Sequence, residues 1–424
     1  MTDLAAGGKG AWNAADRKQK EREKDGWNAT GEEQKKKKEN FRNSIVKEQI
    51  CGTMQKGMEQ KKAALSQDET KESNTDEFCF AAGITRRRLN RERLPGFNDV
   101  CGGHRIWDGE WEKIMISKTM RSILHALSYG NIDVESSRRI ADLKKLDAMR
   151  IFIRKLDTKI CNGDYEVPVR MYFPSEETME QEKEGKLSLP VLLFFHGGGW
   201  VTESVDTYNR VCARMAQSTG KIVVSVEYRL APEHRFPTAF DDCYAAAKEL
   251  YTNHAILNAD PKQITVIGDS AGGNLAAAVC LKARDTGDFQ VERQILIYPA
   301  LNNCYTEASP YPSVRENGTD YLLTAVKMED YVTLYESCPE DRQNPYFAPL
   351  METDYRNLPR TLLLTAELDP LRDEGEEYAR RLEEAGNEVQ QYRIAGAFHG
   401  FFALGIRFWH VQESFTYINQ FLGQ

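Results

Sequence analysis

A chain of 424 residues, 41% of them hydrophobic and 10% aromatic, contains enough apolar side chains to bury a large core. No stretch approaches the roughly 18 consecutive apolar residues of a membrane helix, and residues 1–20 lack the apolar core of a signal peptide. These observations argue against a membrane span and against export, so we expect a cytoplasmic protein. The nine cysteines form no C-x-x-C pair and their number is odd, which predicts reduced thiols and no metal site.

The chain begins with a very polar segment, which we place at residues 1–105. Its first 62 residues contain 15 Lys and Arg against 10 Asp and Glu, although the whole chain carries a net charge of −8. Few apolar residues cluster there, so the composition predicts a largely disordered extension. A nucleic-acid or partner-binding arm is the alternative. Acidic residues interleave with the basic ones throughout, however, and we expect no nucleic acid to bind.

Residues 106–150 are predicted to be helical because apolar residues recur there at helical spacing. Two strand-like runs follow, and the turn residues Asn-Gly-Asp at 162–164 lie between them. This order predicts an opening β-hairpin. The predicted elements of this part of the chain are helices at 111–127 and 133–149 and strands at 151–156 and 167–173.

From residue 191 the pattern changes to continuous apolar runs that alternate with helical segments. Such runs are typical of strands buried on both faces, so they predict an α/β fold with a mostly parallel sheet covered by helices on both faces. The segment 305–359 is too long for a plain connection, and we expect a helix in it at 324–335. The predicted strands are 191–195, 222–226, 264–267, 295–298, 361–365 and 389–394. The other predicted helices are 236–250, 275–283 and 373–385.

The run Gly268-Asp269-Ser270-Ala271-Gly272 directly follows the strand at 264–267. A Gly-x-Ser-x-Gly run in this position is typical of a nucleophile elbow, a tight strand-to-helix turn that exposes the serine. Glycine is needed there because side chains two residues either side of the serine would collide with the neighbouring strand and helix. Ser270 is therefore the candidate nucleophile.

A serine nucleophile needs a base and an acid, and in parallel-sheet hydrolases both follow the serine, in loops after later strands. Asp369 comes after the strand at 361–365, and His399 comes after the strand at 389–394. Both therefore lie at carboxyl ends of predicted strands, where the active sites of open α/β sheets are found. We interpret Asp269, beside the serine, as structural. Competing candidates for the acid are Glu367, Asp373 and Glu374.

A second glycine-rich run, His196-Gly197-Gly198-Gly199-Trp200, follows the strand at 191–195. Three successive glycines allow backbone N–H groups to approach a substrate oxygen closely, which is typical of an oxyanion-hole loop. His196 is predicted to brace this loop rather than to transfer protons. A flexible Gly-rich turn is the alternative, but the preceding strand and the serine elbow downstream favour the oxyanion hole.

Over roughly residues 189–402 the chain resembles the hormone-sensitive-lipase family of α/β-hydrolases, also called bacterial family IV esterases. The resemblance rests on several motifs in the family's order. They are HGGGW at 196–200, EYRLAPEHRFP at 227–237, GDSAGGN at 268–274, DPLRDEG at 369–375 and HGF at 399–401. The segment before residue 106 is longer than the family pattern, so its role is not covered by the resemblance.

The resemblance implies an α/β-hydrolase fold that needs no cofactor. The catalytic domain would span 151–424, and N-terminal helices in 106–150 would cap the active site. The length of the segment 305–359 predicts a second contribution to this cap. The implied catalytic groups are Ser270 as nucleophile, His399 as base, Asp369 as acid, and the backbone N–H groups of Gly198, Gly199 and Ala271 as oxyanion hole.

We therefore expect a serine carboxylesterase that hydrolyses short-chain acyl esters of small molecules without a metal. Two alternatives stay open: an amidase or deacetylase acting on aryl amides or acetylated sugars with the same residues, and a non-catalytic ligand-binding relative. The strand at 389–394 is predicted at a sheet edge, where it can pair between subunits, so a homodimer is a further expectation. Four aromatic residues beside the predicted catalytic loops are candidates for the substrate pocket: Trp200, Tyr298, Phe398 and Phe401.

Overall fold

The computed structural model describes residues 128, 133–142, 153–185, 189–253, 256–257, 259–405 and 408–423. The predicted extension at 1–105 and the predicted helix at 111–127 lie outside the described residues, apart from the helix's immediate neighbour Ser128. The second predicted helix, at 133–149, is described only as far as residue 142. The division of the chain into extension, cap and catalytic domain therefore stays a prediction.

The described residues form a single eight-stranded sheet with the order β1-β2-β4-β3-β5-β6-β7-β8. Strand β1 pairs antiparallel with β2, and β2 pairs antiparallel with β4. All the remaining pairs, from β4 through β3 to β8, are parallel. The strands are β1 (Lys155–Asn162), β2 (Tyr165–Tyr172), β3 (Val191–Phe195), β4 (Ile222–Val226), β5 (Ile264–Asp269), β6 (Arg293–Ile297), β7 (Arg360–Leu368) and β8 (Val389–Phe398).

Helices cover both faces of this sheet, as predicted. The alternation along β3 shows why: Leu193 and Phe195 pack into one hydrophobic cluster, whereas Leu192 and Phe194 pack into another on the opposite face. The helices are α1 (Val134–Asp142), α2 (Glu176–Lys183), α3 (Asn209–Thr219), α4 (Thr238–Thr252), α5 (Ala271–Thr286), α6 (Pro312–Glu316), α7 (Ala325–Tyr335), α8 (Arg372–Glu384) and α9 (Trp409–Phe421). Helices α3 and α9 contribute to the second cluster, and α4, α5 and α8 contribute to the first.

The predicted hairpin is confirmed, but its first strand was placed too early. Strand β1 occupies 155–162 rather than 151–156, and most of its side chains are exposed. Because this edge strand is polar, its sequence has little apolar pattern, and the prediction followed the apolar run at 151–156 instead. Helices α2 and α3 were not predicted. Helix α2 buries no side chain and therefore carries no amphipathic pattern, whereas α3 does bury Cys212, Met215 and Ala216 at helical spacing.

The elements that carry candidate site residues are longer than their sequence patterns. Strand β5 was predicted to end at 267 and reaches Asp269, and β8 was predicted to end at 394 and reaches Phe398. Helix α5 begins at Ala271 rather than at 275. The predictions stopped short because small residues such as glycine and alanine, with a few polar side chains, replace the regular apolar pattern at these ends.

Candidate active site

Ser270 occupies the single residue between β5 and α5, as predicted for a nucleophile elbow. Its backbone angles are φ 57° and ψ −119°, a region that non-glycine residues rarely adopt. Such a conformation costs on the order of 1–3 kcal/mol and persists only when the surroundings impose it. One cause is the close approach of α5 to β3, since a Cβ on Gly272 would lie 2.0 Å from the carbonyl oxygen of Phe195. Glycine is therefore required at 272.

The structure brings together the three side chains predicted to form the catalytic group. The hydroxyl oxygen of Ser270 lies 2.8 Å from Nε2 of His399, and Nδ1 of His399 lies 2.7 Å from Oδ2 of Asp369. Asp369 is fully buried, while Ser270 and His399 keep 9% and 7% of their surface accessible. The hydroxyl is thus reachable by a small molecule, whereas the carboxylate is not.

The loop after β7 fixes the Asp369 carboxylate. Its second oxygen, Oδ1, accepts a hydrogen bond of 2.9 Å from the backbone N–H of Leu371, two residues further along the chain. One carboxylate oxygen is therefore held by the backbone and the other faces the imidazole. This arrangement orients His399 with Nε2 towards the serine.

The three competing acids have other hydrogen-bond partners. Glu367 accepts from the backbone N–H of Gly396, Asp373 from that of Ser313, and Glu374 from that of Leu301. Within the described residues none of the three forms a hydrogen bond with His399. The place of Asp369 at the start of the DPLRDEG motif was the signal that distinguished it from these neighbours.

His196 has the surroundings expected of a bracing residue. Its Nδ1 lies 2.8 Å from the carbonyl oxygen of Gly197, and its ring stacks on Tyr228 with 4.3 Å between ring centres. His410 lies in α9, where burial lowers its pKa to about 4. Among the described histidines, only His399 contacts the serine.

The glycine loop after β3 lies against the elbow. Gly198, Gly199 and Ala271 line one cavity together with Ser270 and His399. Within the described residues, the backbone N–H groups of Gly198, Gly199 and Ala271 have no hydrogen-bond acceptor. All three predicted oxyanion-hole residues therefore lie around the serine, and no described acceptor occupies their amide groups.

The cavity over Ser270 has a volume of about 380 Å³. Much of its described wall is apolar and comes from the segment between β6 and β7 and from the turn after His399. The apolar wall residues are Leu322, Leu323, Met328, Tyr331, Ala403 and Leu404. Three charged residues, Glu203, Asp269 and Lys327, also line it, and burial lowers the pKa of the Lys327 ammonium. A cavity of this size matches a small ester.

The aromatic candidates for the pocket were mostly wrong. Trp200 lines the cavity, but Tyr298, Phe398 and Phe401 are not among its described lining residues. Tyr298 and Phe401 are buried in the core, where their rings make an edge contact 5.2 Å apart. Two aromatic lining residues were not predicted: Tyr208, which directly precedes α3, and Tyr331, which lies in α7. A helix was predicted at 324–335, but its pattern did not distinguish Tyr331 from a core residue.

The described residues contain no group of three or more His, Cys, Asp or Glu side chains arranged to hold a metal ion. None of their helices combines the length and the apolar composition needed to cross a membrane.

Comparison with known proteins agrees with this geometry. A family model described as alpha/beta hydrolase fold matches residues 192–403. An ethyl acetate hydrolase of Pseudomonas putida is 39% identical over 241 residues, which cover 56% of this chain and 72% of that protein. An arylesterase of Saccharolobus solfataricus is 37% identical over 246 residues, or 58% of this chain and 76% of that protein.

Solved structures give the same result. A hyperthermophilic esterase from the archaeon Pyrobaculum calidifontis superimposes with a TM-score of 0.61 at 37% identity, covering 72% of this chain and 97% of that one. A thermostable carboxylesterase from a metagenomic library gives a TM-score of 0.60 at 34% identity, covering 69% of this chain and 98% of that one. With the elbow, the glycine loop and the sheet topology described above, these matches show that the chain belongs to the hormone-sensitive-lipase family of α/β-hydrolases.

Proposed function

We propose that this chain is a carboxylic ester hydrolase that cleaves short-chain acyl esters through an acyl-enzyme intermediate, with Ser270 as nucleophile, His399 as base and Asp369 as acid. The observation that carries the proposal is the continuous line of hydrogen bonds, 2.8 Å from Ser270 to His399 and 2.7 Å from His399 to Asp369. Nucleophile, base and orienting acid within hydrogen-bond reach of one another characterise an activated serine.

In the first half-reaction the Ser270 oxygen attacks the ester carbonyl carbon while Nε2 of His399 takes the hydroxyl proton. The carbonyl oxygen becomes an oxyanion, which the backbone N–H groups of Gly198, Gly199 and Ala271 stabilise. The carbon–oxygen bond to the alcohol then breaks, and the alcohol leaves with the proton from His399. Asp369 stays ionised throughout and stabilises the imidazolium.

In the second half-reaction His399 removes a proton from a water molecule, and the resulting hydroxide attacks the acyl carbon. The bond to Ser270 breaks, its oxygen recovers the proton from His399, and the carboxylic acid is released. Every proton in this cycle moves through Nε2 of His399, so no further acid or base is needed.

The cavity supports a preference for short acyl chains. Its volume of about 380 Å³ lies at the small end of ligand pockets, and the ring of Tyr331 lies directly over Gly199. Two relatives, an ethyl acetate hydrolase and an arylesterase, support an ester rather than an amide as substrate. The amidase and deacetylase alternatives use the same groups and are tested by comparing an acetyl ester with the matched anilide.

The test is Ser270→Ala, measured with nitrophenyl esters from acetate to dodecanoate. Turnover should fall on the order of 10⁴-fold or more while the fold is retained, because the nucleophile is lost. A fluorophosphonate probe should label the wild-type protein and not the variant. Ser218→Ala is the matched control, since Ser218 lies in α3 and is not among the described residues that line the cavity.

Three outcomes would contradict the proposal. Near-full hydrolysis by Ser270→Ala would remove the serine from the mechanism. A wild-type protein that neither hydrolyses esters nor takes up the probe would be a ligand-binding relative. A maximum of the ester series at dodecanoate would refute the short-chain preference.

We also propose a cytoplasmic homodimer. Strand β8 is the last strand of the described sheet, and no described strand pairs with its outer edge, which is the kind of edge that pairs with a second copy. The described cysteines are all free thiols, which is usual for cytoplasmic proteins. Sedimentation equilibrium of the full chain should give twice the monomer mass, and a monomer at micromolar concentration would contradict the assembly.

A further inference from the structure

One buried carboxylate beside the serine has no part in the proton transfers described above. Asp269 is the last residue of β5 and only 1% of its surface is accessible. Its two oxygens accept three hydrogen bonds. The backbone N–H of Gly197 donates to Oδ1 at 2.9 Å, the hydroxyl of Tyr208 to Oδ2 at 2.9 Å, and the hydroxyl of Tyr298 to Oδ2 at 3.2 Å.

The three donors belong to three different parts of the site. Gly197 is the first glycine of the loop that supplies Gly198 and Gly199. Tyr208 directly precedes α3, and Tyr298 directly follows β6. The Tyr298 ring also packs against the imidazole of His399, with 4.8 Å between ring centres. One carboxylate therefore connects the glycine loop with Tyr298, the ring that packs against His399.

Asp269 is not a second acid for the triad. The Nδ1 atom of His399 is occupied by Asp369, and within the described residues Asp269 forms no hydrogen bond with His399 or with the Ser270 hydroxyl. Burial raises the pKa of the Asp269 carboxyl, and the hydrogen bonds from Tyr208, Gly197 and Tyr298 oppose that rise because they stabilise the ionised form. Its contacts are with groups that hold the site, not with the reacting atoms.

We infer that Asp269 is a positioning residue that holds the oxyanion loop in its catalytic geometry through the backbone N–H of Gly197. The inference rests on the proposed function, since it concerns the same reaction. A hydrogen bond to a carboxylate is stronger than one to a neutral acceptor, so it restrains the peptide plane next to Gly198 and Gly199. Oxyanion donors act only if they are already aimed at the developing charge before the reaction begins.

The test compares Asp269→Ala with Asp269→Asn and Tyr208→Phe. The alanine variant loses all three hydrogen bonds, so kcat should fall about 10²-fold, which is the loss expected for one misplaced oxyanion donor. The asparagine variant keeps an oxygen that can accept from Gly197, so its kcat should stay within about tenfold of wild type. Tyr208→Phe removes one donor and leaves the Gly197 contact, and it should have the smallest effect.

A second readout separates positioning from a general loss of structure. A trifluoromethyl ketone becomes a tetrahedral adduct on Ser270 and needs the oxyanion hole, whereas the matching methyl ketone binds as a ground-state analogue. For each variant the affinity for the trifluoromethyl ketone should fall in parallel with kcat, while KM and the affinity for the methyl ketone stay within about threefold. A merely structural role would weaken the binding of both ketones together.

The inference is overturned if Asp269→Ala keeps kcat within twofold, or if both ketones lose affinity equally in the asparagine and phenylalanine variants. If the alanine variant does not fold, the asparagine and phenylalanine variants decide the matter. A higher kcat for Tyr208→Phe than for Asp269→Asn supports the inference, and the reverse order refutes it. Failure of the proposed function is distinguishable, because the wild-type protein would then show no ester hydrolysis and no fluorophosphonate labelling.

Discussion

The floor and the wall of the cavity are built in different ways. The floor, which we define as Ser270, Gly198, Gly199 and Ala271, is made of backbone whose path is set by the ends of β3 and β5. The wall, which we define as 322–331 and 403–404, is made of apolar side chains on α7 and on two loops. The glycines of the floor are fixed by steric limits on any Cβ, whereas a wall residue needs only to be apolar and of suitable size. Chemistry therefore depends on the floor, and the choice of substrate depends on the wall.

The largest loss of turnover should come from Asp369→Asn, which acts on the floor through His399. An amide cannot hold His399 with Nδ1 protonated in the same way, so the imidazole presents the wrong tautomer to Ser270. We expect kcat to fall on the order of 10⁴-fold while KM changes little. Steady-state hydrolysis of nitrophenyl acetate measures both constants.

Asp373→Asn is the matched control, because Asp373 lies four residues along the chain and binds Ser313 and Arg372 instead. It should stay within a few-fold of wild type. If Asp373→Asn proved as damaging as Asp369→Asn, the assignment of the acid by its contact with His399 would be wrong.

Gly199→Ala tests the contact between the floor and the wall. Gly199 has φ 61°, and a Cβ there would lie 2.5 Å from the ring of Tyr331. The ring and the loop cannot both keep their places, so an oxyanion donor should be displaced and kcat should fall about 10²-fold. Adding Tyr331→Ala removes the collision, and the double variant should recover part of the lost turnover.

A double-mutant cycle on nitrophenyl acetate measures this coupling. Additive losses in the double variant would mean that Gly199→Ala acts through backbone conformation alone and not through contact with the wall. That result would separate floor and wall as independent parts of the site.

The floor and the two side chains that activate its serine could be predicted from the sequence, and the wall could not. Ser270 and Asp369 follow strands with continuous apolar runs, and His399 follows the last predicted strand. The glycines on either side of the serine are required for steric reasons, and a short motif is enough to reveal them. Tyr331 carries no such signal, because an aromatic residue in a helix is usually part of the core. Its place over Gly199 depends on how 305–359 folds back across the sheet, and that path is set by long-range packing rather than by a local pattern.

Tyr331→Ala alone should change the choice of substrate more than the rate. Removing the ring enlarges the cavity above Gly199, so hydrolysis of nitrophenyl octanoate relative to acetate should rise about tenfold in kcat/KM, in the range expected for a few methylene groups. Val326→Ala on the same helix is the control, since 70% of the Val326 surface is exposed. An unchanged ratio in Tyr331→Ala would show that chain length is limited elsewhere.

Glu374, in α8, provides a test of stability rather than of turnover. It is fully buried in α8, and Oε1 accepts hydrogen bonds from the backbone N–H of Leu301 at 2.7 Å and the hydroxyl of Tyr305 at 2.9 Å. Within the described residues the other oxygen, Oε2, is buried without a hydrogen-bond partner. Burial raises the pKa of this carboxyl from 4.5 to about 8.

Between pH 4.5 and about 8 the folded protein therefore keeps a proton on Glu374 that the unfolded chain has released. The unfolded state binds fewer protons in that window, so the free energy of unfolding should decrease as the pH rises through it and level off above about 8. The total contribution is on the order of a few kcal/mol. Glu374→Gln cannot ionise, so the variant should lose this part of the pH dependence.

Urea unfolding at pH 5, 6.5 and 8 measures how the free energy of unfolding changes with pH for both proteins. This pH dependence is compared rather than the absolute stability, because the glutamine NH2 group lies where Oε2 has no described partner. That mismatch costs free energy at every pH. Turnover of nitrophenyl acetate at pH 7 should change little, since a protonated glutamate and a glutamine are both neutral beside the floor. If wild type and Glu374→Gln lose stability in parallel between pH 5 and 8, the carboxyl is already ionised in the folded protein, and the buried charge must then have a partner at Oε2.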